Sequence, residues 1–210
     1  MSAEWQSIYT VLSFEIDENW YAPEMGTFLL HLNDLYRFYL GIEVIHADEH
    51  ARNYLRNKKQ EGEQRLNLTN GLAFISHKAE RYNHLRVVRI QYESPGLQDL
   101  AGIGVVVGHI KDLALRLIDV AASKDERRLK NERLEIENLK ERIKIAKDLG
   151  FTDKEIKNVL GWAKKRQKTI SYLIEEGKIR SVSERRLGQH EQTEKIHQYG
   201  SFSQLLRRFK

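Results

Sequence analysis

The 210-residue chain contains no cysteine. That removes disulfide frameworks, thiolate metal sites and cysteine nucleophiles from consideration, and it fits a reducing, cytoplasmic setting. A membrane span is also missing: the most apolar stretch, Leu97 to Ala122, is interrupted by Asp99, His109, Lys111, Asp112, Arg116 and Asp119, whereas a span needs roughly 20 predominantly apolar residues. Met1 to Gln6 lacks a basic leader followed by an apolar core, so no secretory signal is expected. There is no internal repeat, and no Ser/His/Asp or Cys/His arrangement suggests nucleophilic catalysis.

Charge is abundant but unevenly signed. Charged residues make up 31% of the chain, above the roughly 25% usual in globular domains. Lys178 to Lys210 holds eight basic residues against three acidic ones, and residues 1–177 balance at 27 and 27. A neutral body followed by a cationic tail points to an anionic partner.

The pattern of apolar residues predicts a helix-dominated α+β protein. Ile8, Thr10, Leu12, Phe14 and Ile16 alternate with more polar neighbours, as in a strand with one buried face. Pro23 suits a first helical turn, and Met25, Phe28, Leu32, Leu35, Tyr36 and Tyr39 follow at helical spacing until Gly41, where the helix is expected to stop. Residues 42–84 show mixed signals. Leu85 to Tyr92 alternates again and is expected to be a strand covered on both sides. Ser94 and Pro95 then read as the cap and first turn of a buried helix from Leu97 to Ala122.

The next segment, from Lys124, is highly charged. Leu129, Ile136, Leu139 and Ile143 form a narrow seam of near-heptad spacing, broken by Glu132, which predicts an oligomer interface. Gly150 reads as a helix stop. Phe151-Thr152-Asp153-Lys154-Glu155 has the form of a capping box, with Phe151 placed to staple against Ile156, and its helix is expected to end at Gly177. These readings divide the chain into an α+β core (1–122), a long antiparallel helical hairpin (123–177) and a basic C-terminal tail (178–210).

Several short patterns bear on chemistry. His46-Ala47-Asp48-Glu49-His50 has the H-x-x-E-H spacing in which two histidines on one helical face bind zinc and the glutamate activates water. A solvated, polar helix start accounts for it more simply. Gly102, Gly104 and Gly108 invite comparison with phosphate-binding loops, but those need a strand, a glycine turn and then a helix; here the glycines are expected inside a helix, where a missing Cβ serves close packing. Arg185 and His190 share the R-x-x-x-x-H spacing of a class of helical ribonucleases, in which these residues would orient phosphate or move a proton.

Nucleic-acid contact draws on more residues: Lys164, Lys165, Arg166 and Lys168, then Arg180, Arg185, Arg186, Arg207, Arg208 and Lys210, with His197, Tyr199, Phe202 and Phe209 interleaved for stacking. Asp34-Leu35-Tyr36 in an early helix, together with Tyr92-Glu93-Ser94-Pro95-Gly96 before a long apolar segment, resembles small uncharacterised bacterial proteins, some of them accessories in antiviral operons. The resemblance implies an assembly component of a defence complex and supplies no catalytic residue. The sequence therefore predicts a non-enzymatic, cofactor-free homo-oligomer that contacts DNA, RNA or a protein partner, with a nuclease or hydrolase as the alternative.

Overall fold

A computed structural model of the chain describes residues 9–17, 20–61, 67–80, 85–91, 96–122 and 143–186. Four strands form an antiparallel sheet: β1 (Tyr9–Ile16), β2 (Arg86–Gln91), β3 (Gly96–Ile103) and β4 (Ile179–Arg186), in the order β2-β3-β1-β4. Among the described residues there are six helices: α1 (Ala22–Ala47), α2 (Glu49–Gln60), α3 (Leu68–Glu80), α4 (Gly104–Ala122), α5 (Ile145–Asp148) and α6 (Asp153–Glu175). The protein is α+β and helix-dominated, as its pattern predicts.

Strand β1 follows its alternation. Thr10, Leu12, Phe14 and Ile16 are buried, and Phe14 meets Phe28 of α1 edge to face at 5.3 Å. The opposite face is not wholly solvated, because Val11 is also buried, against Ala101. Both edges of β1 are hydrogen-bonded: Leu12 lies opposite Leu100 on one side and Glu184 on the other.

Two expected boundaries move, each for a local reason. Helix α1 runs through Gly41, which serves packing: a Cβ there would lie 3.0 Å from the Leu72 carbonyl of α3. Asp48 ends α1 instead, in extended conformation, and begins α2 by accepting the His50 N–H. Leu97 to Ile103 is strand and not helix. Its residues Leu97, Leu100 and Ile103 repeat every third position, which imitates a helical face, and burial on both sides of β3 erases the alternation.

Strand β2 forms where alternation places it, but it is exposed rather than covered on both sides. Val87, Val88 and Ile90 retain 50%, 47% and 37% of their surface, and a bulge between Val87 and Arg89 interrupts its pairing with β3.

The helical capping signals hold. Thr152 Oγ1 accepts the Glu155 N–H at 3.3 Å, Glu155 Oε2 accepts the Thr152 N–H at 2.9 Å, and Phe151 and Ile156 are both buried. At the other end of α6, Gly177 adopts φ +73°; its N–H donates to Ile174 O and that of Lys178 to Leu173 O, satisfying the last carbonyls. Gly150 (φ +88°) closes α5 in the same way.

The described parts of the expected hairpin and tail, residues 143–186, are not separate bodies. Helix α6 packs on α1, α3 and α4, and one core joins Leu12, Leu35, Val107, Val159, Ile170 and Val182. Residues 179–186 are the fourth strand. Their first half is tied down by Asp17 N–H donating to Lys178 O (3.0 Å), by Arg180 on Asp17 (2.8 Å), and by the Lys178 ammonium on Glu24. The hydrogen bond from Lys178 holds the Glu24 carboxyl below its usual range, and Glu24 in return raises the Lys178 pKa.

One contact couples sheet to helices most closely. Tyr36, fully buried on α1, accepts the Ile103 N–H at its hydroxyl (3.0 Å), and its ring fills the space above Gly102, where a Cβ would come within 2.7 Å. Gly102→Ala is expected to destabilise the protein by about 1–3 kcal/mol through overpacking, and Tyr36→Phe by about 1–3 kcal/mol by leaving a buried N–H unmet. Chemical denaturation of each variant checks both.

Candidate basic face and charged cleft on helix α6

Helix α6 carries the most distinctive arrangement of charge. From Ile156 to Ile174 it has five basic residues and no acidic one. The apolar side, with Ile156, Val159, Ala163, Ile170, Leu173 and Ile174, is buried in the core. Lys157, Gly161, Lys164, Lys168 and Tyr172 are exposed at successive spacings of four, three, four and four, so they form one line along the outer side of the helix. At about 1.5 Å per residue, Lys157 and Lys168 are roughly 16 Å apart along the axis. Lys165 is exposed beside this line. Gly161 has open space where its Cβ would stand.

Arg166 is drawn out of that set. Its side chain is 21% exposed, its Nε donates to Asp34 Oδ2 at 3.0 Å, and its guanidinium lies over the Trp162 ring at 4.1 Å from the centroid. These groups border a cleft of about 270 Å3 between α1, α3 and α6, lined also by Arg37, Phe38, Leu72 and Ser76. Phe38 and Trp162 pack at 6.0 Å. The sequence marks Arg166 as a candidate contact but assigns no site role to Asp34, Trp162 or Arg37; the Trp162/Arg166 spacing of four places both on one face of α6, whereas Asp34 joins them only through tertiary packing.

The remaining predicted residues are dispersed. Arg180 is paired with Asp17, and Arg185 is exposed on β4. Arg186 closes β4. Arg207, Arg208 and Lys210 lie outside the described residues, as does His190, so Arg185 is a strand residue with no described histidine partner from that motif. Of the predicted interface, Leu129, Ile136 and Leu139 also lie outside. Ile143 is 2% exposed and belongs to the core of the single chain. Its side chain is therefore already covered without a neighbour, which corrects its assignment to a subunit interface.

The H-x-x-E-H reading fails on geometry. Asp48 breaks the helix between the two histidines, leaving exposed His46 at the end of α1 and exposed His50 in the first turn of α2 with Glu49. The single helical face that would align two ligands is not formed. Among the described residues, no three His, Cys, Asp or Glu side chains cluster as a metal site. No helix among them is long and apolar enough to cross a membrane.

The glycine segment is a different correction. The structure does place strand β3 immediately before helix α4, with Gly104 at the junction. Gly102, however, is the seat of the Tyr36 ring, so its missing Cβ is explained by packing.

Comparison with protein-family models, with curated proteins and with solved structures finds no match to this chain.

The field of these cations reaches His31 of α1, whose Nδ1 lies 2.7 Å from Thr169 Oγ1 of α6. Burial first, then the charge of Arg166, push its pKa below the ordinary value near 6.5. The folded chain thus binds this proton less readily than the unfolded chain. The contribution is complete above about pH 6.5 and declines as pH falls from there toward the lower, folded value. Stability profiles should show a downward slope below neutrality that is shallower in His31→Gln. An identical slope in both proteins would assign the pH dependence elsewhere.

Proposed function

We propose that this protein is a non-enzymatic adaptor that self-associates and holds nucleic acid along the exposed side of α6. The observation that carries the reading is the line Lys157, Lys164 and Lys168, on a helix with no acidic residue between Ile156 and Ile174. A rigid row of cations meets successive phosphates without reading bases, and releases counterions as it does so. Gly161 adds support. An exposed glycine inside a helix costs about 0.5–1 kcal/mol relative to alanine, and here no intramolecular neighbour requires it; beneath a phosphate backbone it permits close approach. Arg185, exposed on β4, adds to the positive charge of the described chain.

Self-association is assigned to strand β2. Its exposed Val87, Val88 and Ile90 form an apolar sheet edge of the kind that recruits another strand. A second copy is the fitting occupant: an antiparallel strand pairs with itself about a two-fold axis, and Arg89 brings little repulsion because Asp99 neutralises it at 2.9 Å. Pairing two copies doubles the basic rows and strengthens weak contacts through avidity. The setting that the bacterial resemblance implies, a defence complex, belongs to this same proposal.

Gel-shift titrations with single- and double-stranded DNA and RNA across salt test the contact. Binding should weaken steeply with salt, and Lys164→Gln/Lys168→Gln should weaken it on every sequence, reducing the log–log salt slope by about 1 per lysine. Gly161→Ala should raise stability by roughly 0.5–1 kcal/mol while lowering affinity. Salt-insensitive binding, or an unaltered slope in the double variant, would sink the α6 assignment. Light scattering at micromolar concentration should show more than one chain per particle, reverting to one in Val88→Lys; a monomeric native protein would refute the edge pairing.

A further inference from the structure

The cleft between α1, α3 and α6 has features that neither core packing nor the outer lysine row requires. Its volume of about 270 Å3 lies just under the lower end of small-molecule sites, roughly 300–1,000 Å3. Its lining combines apolar side chains, Phe38, Leu72, Ala73 and Val159, with the charged groups of Asp34, Arg37 and Arg166. Such a combination suits a ligand with an apolar body and a single charged group.

Arg166 decides the sign of that charge. Asp34 Oδ2 engages it through Nε alone, at 3.0 Å, and the Trp162 ring beneath its plane restrains the guanidinium. Its two terminal nitrogens donate to no described residue. A guanidinium gripped at Nε and stacked on an indole is an oriented fork, and the donors that remain match two oxygens of a carboxylate or phosphate. A lysine could not be fixed in this manner. Arg37 lines the same cleft, so two guanidiniums and one carboxylate border it.

We propose that this cleft binds a small organic oxyanion, a carboxylate or phosphate monoester, with its oxygens on the Arg166 fork and its apolar body against Phe38, Leu72, Ala73 and Val159. Asp34 acts as a positioning residue, because it holds the guanidinium and leaves the anion to the terminal nitrogens. At roughly 30 Å3 per water molecule the space equals about nine waters, enough for a single ring with its charged substituent. The inference does not depend on the nucleic-acid reading, since the exposed lysines lie on the outer side of α6.

Titration calorimetry of the 210-residue chain with benzoate, hexanoate, phenyl phosphate and inorganic phosphate tests it. At least one of the three organic anions should bind saturably, once per chain, and at least tenfold more tightly than inorganic phosphate. Arg166→Lys, which keeps the charge but loses the fork, should weaken binding tenfold or more. Ala73→Leu, which adds bulk to the apolar lining, should abolish it while thermal unfolding remains cooperative. Lys164→Gln should leave the affinity unchanged, which separates this site from the outer row. Should Arg166→Lys fail to fold, Ala73→Leu decides alone. No binding of any organic probe at millimolar concentration, or equal affinity in native protein and Ala73→Leu, would overturn the proposal and leave Asp34–Arg166 as a strut between two helices. Inorganic phosphate binding as tightly as the organic probes would likewise identify an adventitious ion only.

Discussion

Strand β1 makes hydrogen bonds along both edges and buries side chains on both faces, and the remaining elements are placed by that demand. A strand so enclosed leaves no backbone group to water, so β3 and β4 must both be present for its N–H and C=O groups to be satisfied. Leu12, Phe14 and Ile16 are wholly buried, and each such side chain contributes about 1.5–3 kcal/mol on leaving water. Helix α1 meets them through Phe28, and Tyr36 of the same helix locks onto β3. The position of α1 in turn sets that of α6, through Asp34 with Arg166 and His31 with Thr169. The charged features of the molecule are thus arranged by an apolar strand with no charged group among its buried residues.

Helix α6 serves two environments with one sequence. Its inner side is part of the core, its outer side is cationic, and the boundary between them runs through Trp162 and Arg166. Arg166 has the intermediate position that allows both a half-buried ion pair and access to the cleft. An ion pair this sheltered need not stabilise the fold by much, since the desolvation of both groups offsets their attraction. Its geometric effect is clearer than its energetic one: it fixes where the guanidinium points.

How much of this could be read in the residues depends on whether a signal is local. The capping box at Thr152 and the positive-φ glycines at 150 and 177 are short-range, and they appear where the sequence places them. Strand β1 is legible for the same reason, its alternation being complete. Strand β3 is not, because burial on both faces replaces alternation with a spacing of three, and the Ser-Pro before it imitates a helix start. Strand β4 was concealed by its composition: only Ile179 and Val182 enter the core, and the surrounding serines and charges resemble a solvated tail. Gly41 misleads because glycine marks helix ends and close helix crossings alike, and only the neighbouring α3 distinguishes the two. Of the functional candidates, the lysine row is visible as helical spacing on α6. The cleft is invisible, since Asp34 and Arg166 are 132 positions apart.

The pairing of β1 with β4 also has a consequence in time. β1, in the interior of the sheet, is synthesised well before β4, and that flanking strand is completed only when Arg186 has been made. At roughly 5–20 residues per second, the nascent chain carries an unfinished sheet for about ten seconds or more, with one edge of its most apolar strand unpaired. Long-range closure of this kind is slow even once the chain is released. Premature termination anywhere before residue 179 would therefore yield an aggregation-prone fragment and not a smaller working domain.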